Sequence, residues 1–138
     1  MHTSCIVFFL CGSILNARSV GGNAMKHIVA DSNLVAYCGL YCGACRKYLM
    51  DKCPGCHENT KASWCKVRTC NMEHDYTTCA DCQIKPLDEC KEFNSFMAKV
   101  FGFIFRSDRA ACVRIIGEKG VEQYAEYMAD NKLQSIRR

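Results

Sequence analysis

Three Cys-x-x-Cys pairs fall within about forty residues of one another: Cys42-Gly43-Ala44-Cys45, Cys53-Pro54-Gly55-Cys56 and Cys79-Ala80-Asp81-Cys82. Two residues between sulfurs let the backbone turn so that both can face one tetrahedral ion at about 2.3 Å. In the second pair Gly55 has no side chain to crowd that turn. Cys65 and Cys70 form a looser fourth pair, and Cys38 and Cys90 stand at the two ends of the stretch. One knuckle alone would constrain little. Three in succession, with a fourth pair, confine the chain to metal coordination or to a disulfide framework.

Compartment separates those two. Disulfide frameworks belong to exported chains, and the same density inside a cell reads as metal binding. Residues Cys5 to Leu15 are an apolar run like a signal-peptide core, but only His2 precedes it where a basic segment is usual. Eleven residues are also too few to span a bilayer as a helix. Residues 1–24 are therefore expected to be a dispensable extension, with a real export signal as the alternative, and Met25-Lys26 offers a second start. Without that extension eleven of the thirteen cysteines remain, an odd number for a disulfide scaffold. The expected location is cytoplasmic, with no membrane span.

The segment from Cys38 to Cys90 carries few Leu, Ile or Val, so it buries too little apolar surface to offset chain entropy without staples. Four pairs supply eight thiolates, enough for two closed zinc sites. The simplest grouping is Cys42, Cys45, Cys53 and Cys56 in one, with Cys65, Cys70, Cys79 and Cys82 in the other. A cross-braced arrangement fits the spacing equally well, and Cys38 or Cys90 could replace a partner in either. Cys112 lies among Ala111, Val113 and Ile115 and reads as a small core residue. His27, His57 and His74 read as ordinary histidines, with His57, next to Cys56, the best substitute ligand.

The formal charge of +4 invites a nucleic-acid reading. Each four-thiolate zinc site carries about −2 as a unit, so two of them would bring the folded charge to about zero. A nucleic-acid reader remains a weak alternative, and it would need Arg46, Lys47, Lys52, Lys61, Lys66 and Arg68 on one face. Cys38 to Cys45 also has the spacing of radical enzymes that cleave S-adenosylmethionine, but the chain is too short for their β/α barrel. An iron–sulfur cluster of another type stays open, because thiolates suit both metals. Cys42 and Cys45 as a thioredoxin-like dithiol would need flanking buried strands, which the sequence does not offer. No phosphate loop, His-Glu-x-x-His or serine elbow is present, and the reading leans away from an enzyme.

Regular structure is expected to be short in the cysteine-rich part: a helical turn or two at 46–52, and a strand fragment or helix start at 66–69. Beyond Pro86, Phe93, Phe96, Met97, Val100, Phe101 and Ile104 recur at helical spacing. With Phe103 and Phe105 they exceed what one helix face needs; the expectation is that they fill the core, a partner or second copy being the alternative. Ser107 and Asp108 offer an N-cap for a helix from Arg109, Gly117 and Gly120 bracket a break, and a last helix follows from Val121. The basic tail from Gln134 is expected to fray. The predicted fold is small, metal-stabilised and irregular or α-rich. A zinc-knuckle half, with its constellation at 35–93, packs against two or three helices within 91–133 in a single domain, 25–138.

The ordered motifs resemble a known family. Tyr37-Cys38-Gly39-Leu40-Tyr41-Cys42-Gly43-Ala44-Cys45, Cys53-Pro54-Gly55-Cys56, Cys65-Lys66-Val67-Arg68-Thr69-Cys70, Cys79-Ala80-Asp81-Cys82 and Cys90 follow the pattern of the bacterial and archaeal domain of unknown function 3795. That is a cysteine-rich group taken to bind zinc. The likeness runs from about Val35 to Phe93, more loosely through the C-terminal helices, and residues 1–24 have no counterpart in it. It implies metal binding at Cys38, Cys42, Cys45, Cys53, Cys56, Cys65, Cys70, Cys79, Cys82 and Cys90, and it implies no reaction. The expectation is a structural-zinc binding or interaction module, with an iron–sulfur or thiol-based redox or metal-dependent enzyme as the alternative.

Overall fold

The computed structural model describes residues 24–138. Cys5, Cys11 and the apolar run around them lie outside the described residues. Among the described residues the protein is small and helix-rich, with isolated β-bridges in place of strands. Five α-helices follow one another: α1 (Arg46–Leu49), α2 (Lys66–Glu73), α3 (Phe96–Ile104), α4 (Arg109–Lys119) and α5 (Val121–Asp130). Short 3-10 turns lie at Ser32–Leu34, Cys42–Ala44, Cys79–Asp81 and Leu87–Glu89.

Local chemistry explains the clear elements. Asp108 accepts the backbone N–H of Ala111 at 2.9 Å and so caps α4, while Ser95 does the same for α3 through Ala98. Gly120, at φ +89°, makes the break between α4 and α5. Gly117, expected to share in that break, lies inside α4. The ambiguous stretch at 66–69 opens helix α2 and is no strand.

Two clusters of buried side chains divide the labour. The first is ordinary carbon packing: Leu34, Val35 and Tyr41 meet Cys112 and Ile116 of α4 and Tyr124, Ala125 and Met128 of α5. Cys112 is fully buried there, as its apolar neighbours predicted. The second cluster has four buried members, Tyr37, Val67, Phe93 and Val113, walled by Cys38, Cys56, Cys65, Cys79 and Cys90 together with Ala80, Leu87 and Ala110. Sulfur thus supplies much of the wall that carbon supplies in the first.

Two expectations fail. Of the aromatic series only Phe93 enters the core, at 3% exposed; Phe96, Met97, Phe101, Phe103, Ile104 and Phe105 stand exposed. The reason is that neither buried cluster includes a residue of α3, whose one buried position is Gly102. The basic tail is pinned where fraying was expected. The N–H of Tyr41 donates to Gln134 O at 2.8 Å, that of Asp108 to Ile136 O at 2.8 Å, and that of Arg138 to Arg106 O at 3.1 Å. Ile136 N–H also reaches the Cys112 sulfur at 3.3 Å.

Candidate metal centre

The first loop is a tight reversal. Val35 and Tyr41 pair in an antiparallel bridge, and Ala36 N–H donates to Leu40 O at 2.7 Å, which leaves Cys38 near the tip. The next turn, Cys42–Ala44, needs its glycine because the buried Tyr41 ring lies over it. A Cβ on Gly43 would sit 2.6 Å from Tyr41 Cζ. That ring cannot yield, since its hydroxyl donates to Val29 O and accepts the N–H of Asp31 at 3.2 Å.

The second knuckle needs Gly55 for a different reason from the one expected. Nothing lies closer than 3.7 Å to its missing Cβ, but its φ of +98° is backbone that side-chain-bearing residues rarely adopt. Arg68, buried on α2, fixes this knuckle by donating to Cys56 O at 3.1 Å and to His57 O at 3.3 Å. His57 Nε2 lies 2.8 Å from Val35 O, and its ring packs on Tyr37 at 4.3 Å, so it is engaged with backbone. In the third knuckle Thr78 and Asp81 cap the Cys79–Asp81 turn reciprocally, and Cys79 N–H donates to Tyr37 O at 2.8 Å. The third knuckle is thereby tied to the first loop.

Helix α2 separates the loose pair. Cys65 is its N-cap and Cys70 lies five residues on, so at 100° per residue their side chains leave the axis about 140° apart. Cys70, Cys79, Cys82 and Cys90 open together onto one cavity of about 280 Å³, and Cys65 is not among its lining residues. Cys65 instead lies toward Cys56 and Cys38.

Electrostatics show the two neighbourhoods meeting at Cys38, which acts on Cys42 and Cys56 and also on Cys79. Burial pushes the Cys42 thiol up to about 12, with the nearby Cys56, Cys38 and Cys45 adding to it, while the N–H of Cys56 aimed at its sulfur pulls it back. Burial pushes Cys56 up to about 11, reinforced by Cys38 and Cys65 and opposed by the N–H of Tyr37 and by Arg68. Cys79 is raised to about 12 by burial, with Cys38, Cys90 and Cys82 adding and a hydrogen bond from Asn71 opposing. Cys38 is also raised by burial, with the Leu40 N–H and Arg109 acting the other way. These are sulfurs crowded by other sulfurs, an arrangement that a cation would invert.

Asn71 and Arg109 are residues that sequence reasoning missed, and Arg68 it weighed only as part of a basic face. Asn71 donates to Cys79 Sγ at 3.2 Å, and Arg109 lies near Cys38 and over the Phe93 ring at 4.6 Å while donating to Phe93 O at 2.7 Å. Only their positions beside cysteines and a helix cap could have drawn attention to them. With Arg68 committed inward, the six basic residues weighed as a nucleic-acid face become five, all exposed: Arg46, Lys47, Lys52, Lys61 and Lys66.

Among the described residues no three His, Cys, Asp or Glu side chains converge closely enough to hold an ion as they stand. The donor chemistry of the cavity nonetheless fits a soft or borderline metal. Its four cysteines are free thiols, and thiolate sets suit zinc or iron–sulfur clusters. Beside them Asn71, 2% exposed, has a buried Oδ1 without a partner. His74, near Cys70, has its Nδ1 2.7 Å from the Cys70 carbonyl oxygen. Comparison with protein-family models, curated proteins and solved structures found no match for this chain.

Proposed function

We propose that this chain is a structural-zinc binding module of the kind its resemblance to domain of unknown function 3795 implies. One ion belongs to Cys70, Cys79, Cys82 and Cys90. The second draws its four ligands from Cys38, Cys42, Cys45, Cys53, Cys56 and Cys65. The observation that carries the reading is the shared cavity: four thiols from three separate segments open onto it.

This grouping departs from the simplest one by exchanging Cys65 for Cys90, and the rotation of α2 supplies the reason. When bound, the metal supplies cross-links between segments that bury little carbon; four protein ligands leave no open position for a substrate. Asn71 and Arg68 would steady the sulfurs by hydrogen bonding, as outer partners of ligands commonly do. The role of such a module is to present a surface to a partner.

The test is elemental analysis and an absorption spectrum on protein purified without oxygen. About two zinc ions per chain and a colourless solution are expected for two closed four-thiolate sites. Iron with sulfide and a brown colour would overturn the zinc assignment in favour of redox chemistry. Metal-free protein with its cysteines paired would return the chain to the disulfide framework.

A further inference from the structure

Among the described residues, helix α3 concentrates apolar side chains that the buried clusters do not take up. Phe96 and Phe103 are each 78% exposed, and Met97, Phe101, Ile104 and Phe105 are all more than half exposed. At 100° per residue these six side chains sweep an arc of about 200°, and Gly102, the helix's one buried residue, lies outside it. The seam that one partner helix covers in a coiled coil is narrower, confined to two positions in seven. An arc this broad suits an apolar phase without a shape of its own.

The charges around the arc are of one sign. No Asp or Glu occurs from Phe93 to Ser107. Lys99 sits beside the arc and Arg106 closes it, both exposed. The pinned tail adds to them: Arg137 pairs with Ser107, and Arg138 N–H binds Arg106 O. Asp108, the first carboxylate after the helix in the chain, caps α4. A second copy docking here through the same face would set these cations against their own kind. A bilayer bearing negative headgroups would meet them with opposite charge while its acyl boundary took the aromatic side chains.

We infer that α3 and Arg106, with Arg137 and Arg138, form a docking face for an anionic lipid surface, on which the helix lies in the interfacial plane. Nine residues rise only about 14 Å, well short of the hydrocarbon core. No helix among the described residues is long and apolar enough to cross a membrane. No residue of α3 lines the cavity that Cys70, Cys79, Cys82 and Cys90 share.

The experiment is co-sedimentation of the full chain with vesicles of phosphatidylcholine and phosphatidylserine at about three to one, compared with phosphatidylcholine alone. Binding should be about tenfold stronger to the anionic vesicles and should fall several-fold as salt rises from about 0.05 to about 0.5 M. Because the apolar run at Cys5–Leu15 could hold lipid by itself, variants of α3 make the deciding comparison. The double substitution Phe103→Glu with Phe105→Glu should weaken binding at least about tenfold without changing metal content. Lys99→Glu, at an exposed helical position, should weaken it by a few-fold and serves if the double variant does not fold. Binding that ignores these substitutions, or that is equal on both vesicles, overturns the inference. So does a dimer in vesicle-free solution that the double variant dissolves, which would assign the face to a second copy.

Discussion

The hydroxyl of Tyr124 donates a 2.6 Å hydrogen bond to the carbonyl oxygen of Gly39, joining groups 85 residues apart in the chain. Tyr124 is fully buried on α5, and Gly39 sits between Cys38 and Leu40 in the loop that opens the cysteine-rich half. Burial drives the Tyr124 hydroxyl far above its ordinary pKa, so the phenol stays a donor. One bond therefore couples the carbon-packed half of the molecule to its sulfur-lined half.

Removing that hydroxyl leaves a buried carbonyl without its partner while the ring still fills its place. Tyr124→Phe should lower unfolding free energy by about 1–2 kcal/mol. The check is urea denaturation at fixed free zinc, because metal bound to the native state alone would otherwise shift the midpoint. An unchanged midpoint would mean that the bond carries no coupling.

Two glycines make opposite predictions. Gly39 has φ +90°, and a Cβ there would lie 3.0 Å from Cys112 Cβ and 3.2 Å from Val113 N, so Gly39→Ala should cost about 2–4 kcal/mol. Gly117 is exposed on α4 with nothing within 4 Å of its missing Cβ, so Gly117→Ala should stabilise by about 0.5–1 kcal/mol. Thermal melts of the two variants against the parent should move in opposite directions.

What the sequence disclosed was local. The cap at Asp108, the break at Gly120 and the apolar spacing of Tyr124, Ala125 and Met128 act within a few residues, and the helices they mark stand where expected. The partition of the cysteines was not legible, because spacing does not say which distant cysteine each member of a pair meets. Helix α2 turns Cys70 about 140° from Cys65, and the fold brings Cys90 to the cavity that Cys70 lines. The exposure of α3 was hidden likewise: helical spacing defines an apolar arc and says nothing about what covers it. The pinned tail had no signal, since its partners are backbone groups of Tyr41, Arg106 and Asp108.

Two cysteine substitutions should part ligand from packing. Cys79→Ser, in the shared cavity, should release about one zinc per chain, because a closed site that loses one of four thiolates binds far more weakly. Cys112→Ala, fully buried among carbon, should keep the full metal content while lowering stability by about 1 kcal/mol or more. Zinc analysis on both, beside denaturation curves, reads the difference. Equal metal loss from the two would dissolve the distinction between the sulfur-lined and carbon-packed clusters.

Chelation should expose that distinction within one molecule. The second cluster has four buried apolar side chains and leans on cysteine for much of the rest of its wall, so stripping the metal leaves uncross-linked thiols there and little carbon to hold α2 and residues 77–94 in place. Helices α4 and α5 keep Ile116, Ala125 and Met128 packed on Val35 and Leu34, with the candidate ligand Cys42 only at the cluster's edge. Amide hydrogen exchange after a strong chelator is added should therefore accelerate at least about tenfold across α2 and 77–94, and change much less in α4 and α5. The Tyr124–Gly39 bond should mark the boundary, with exchange at Leu40 rising and that at Tyr124 held. Uniform acceleration along the chain would instead mean that the metal supports both halves as one cooperative unit.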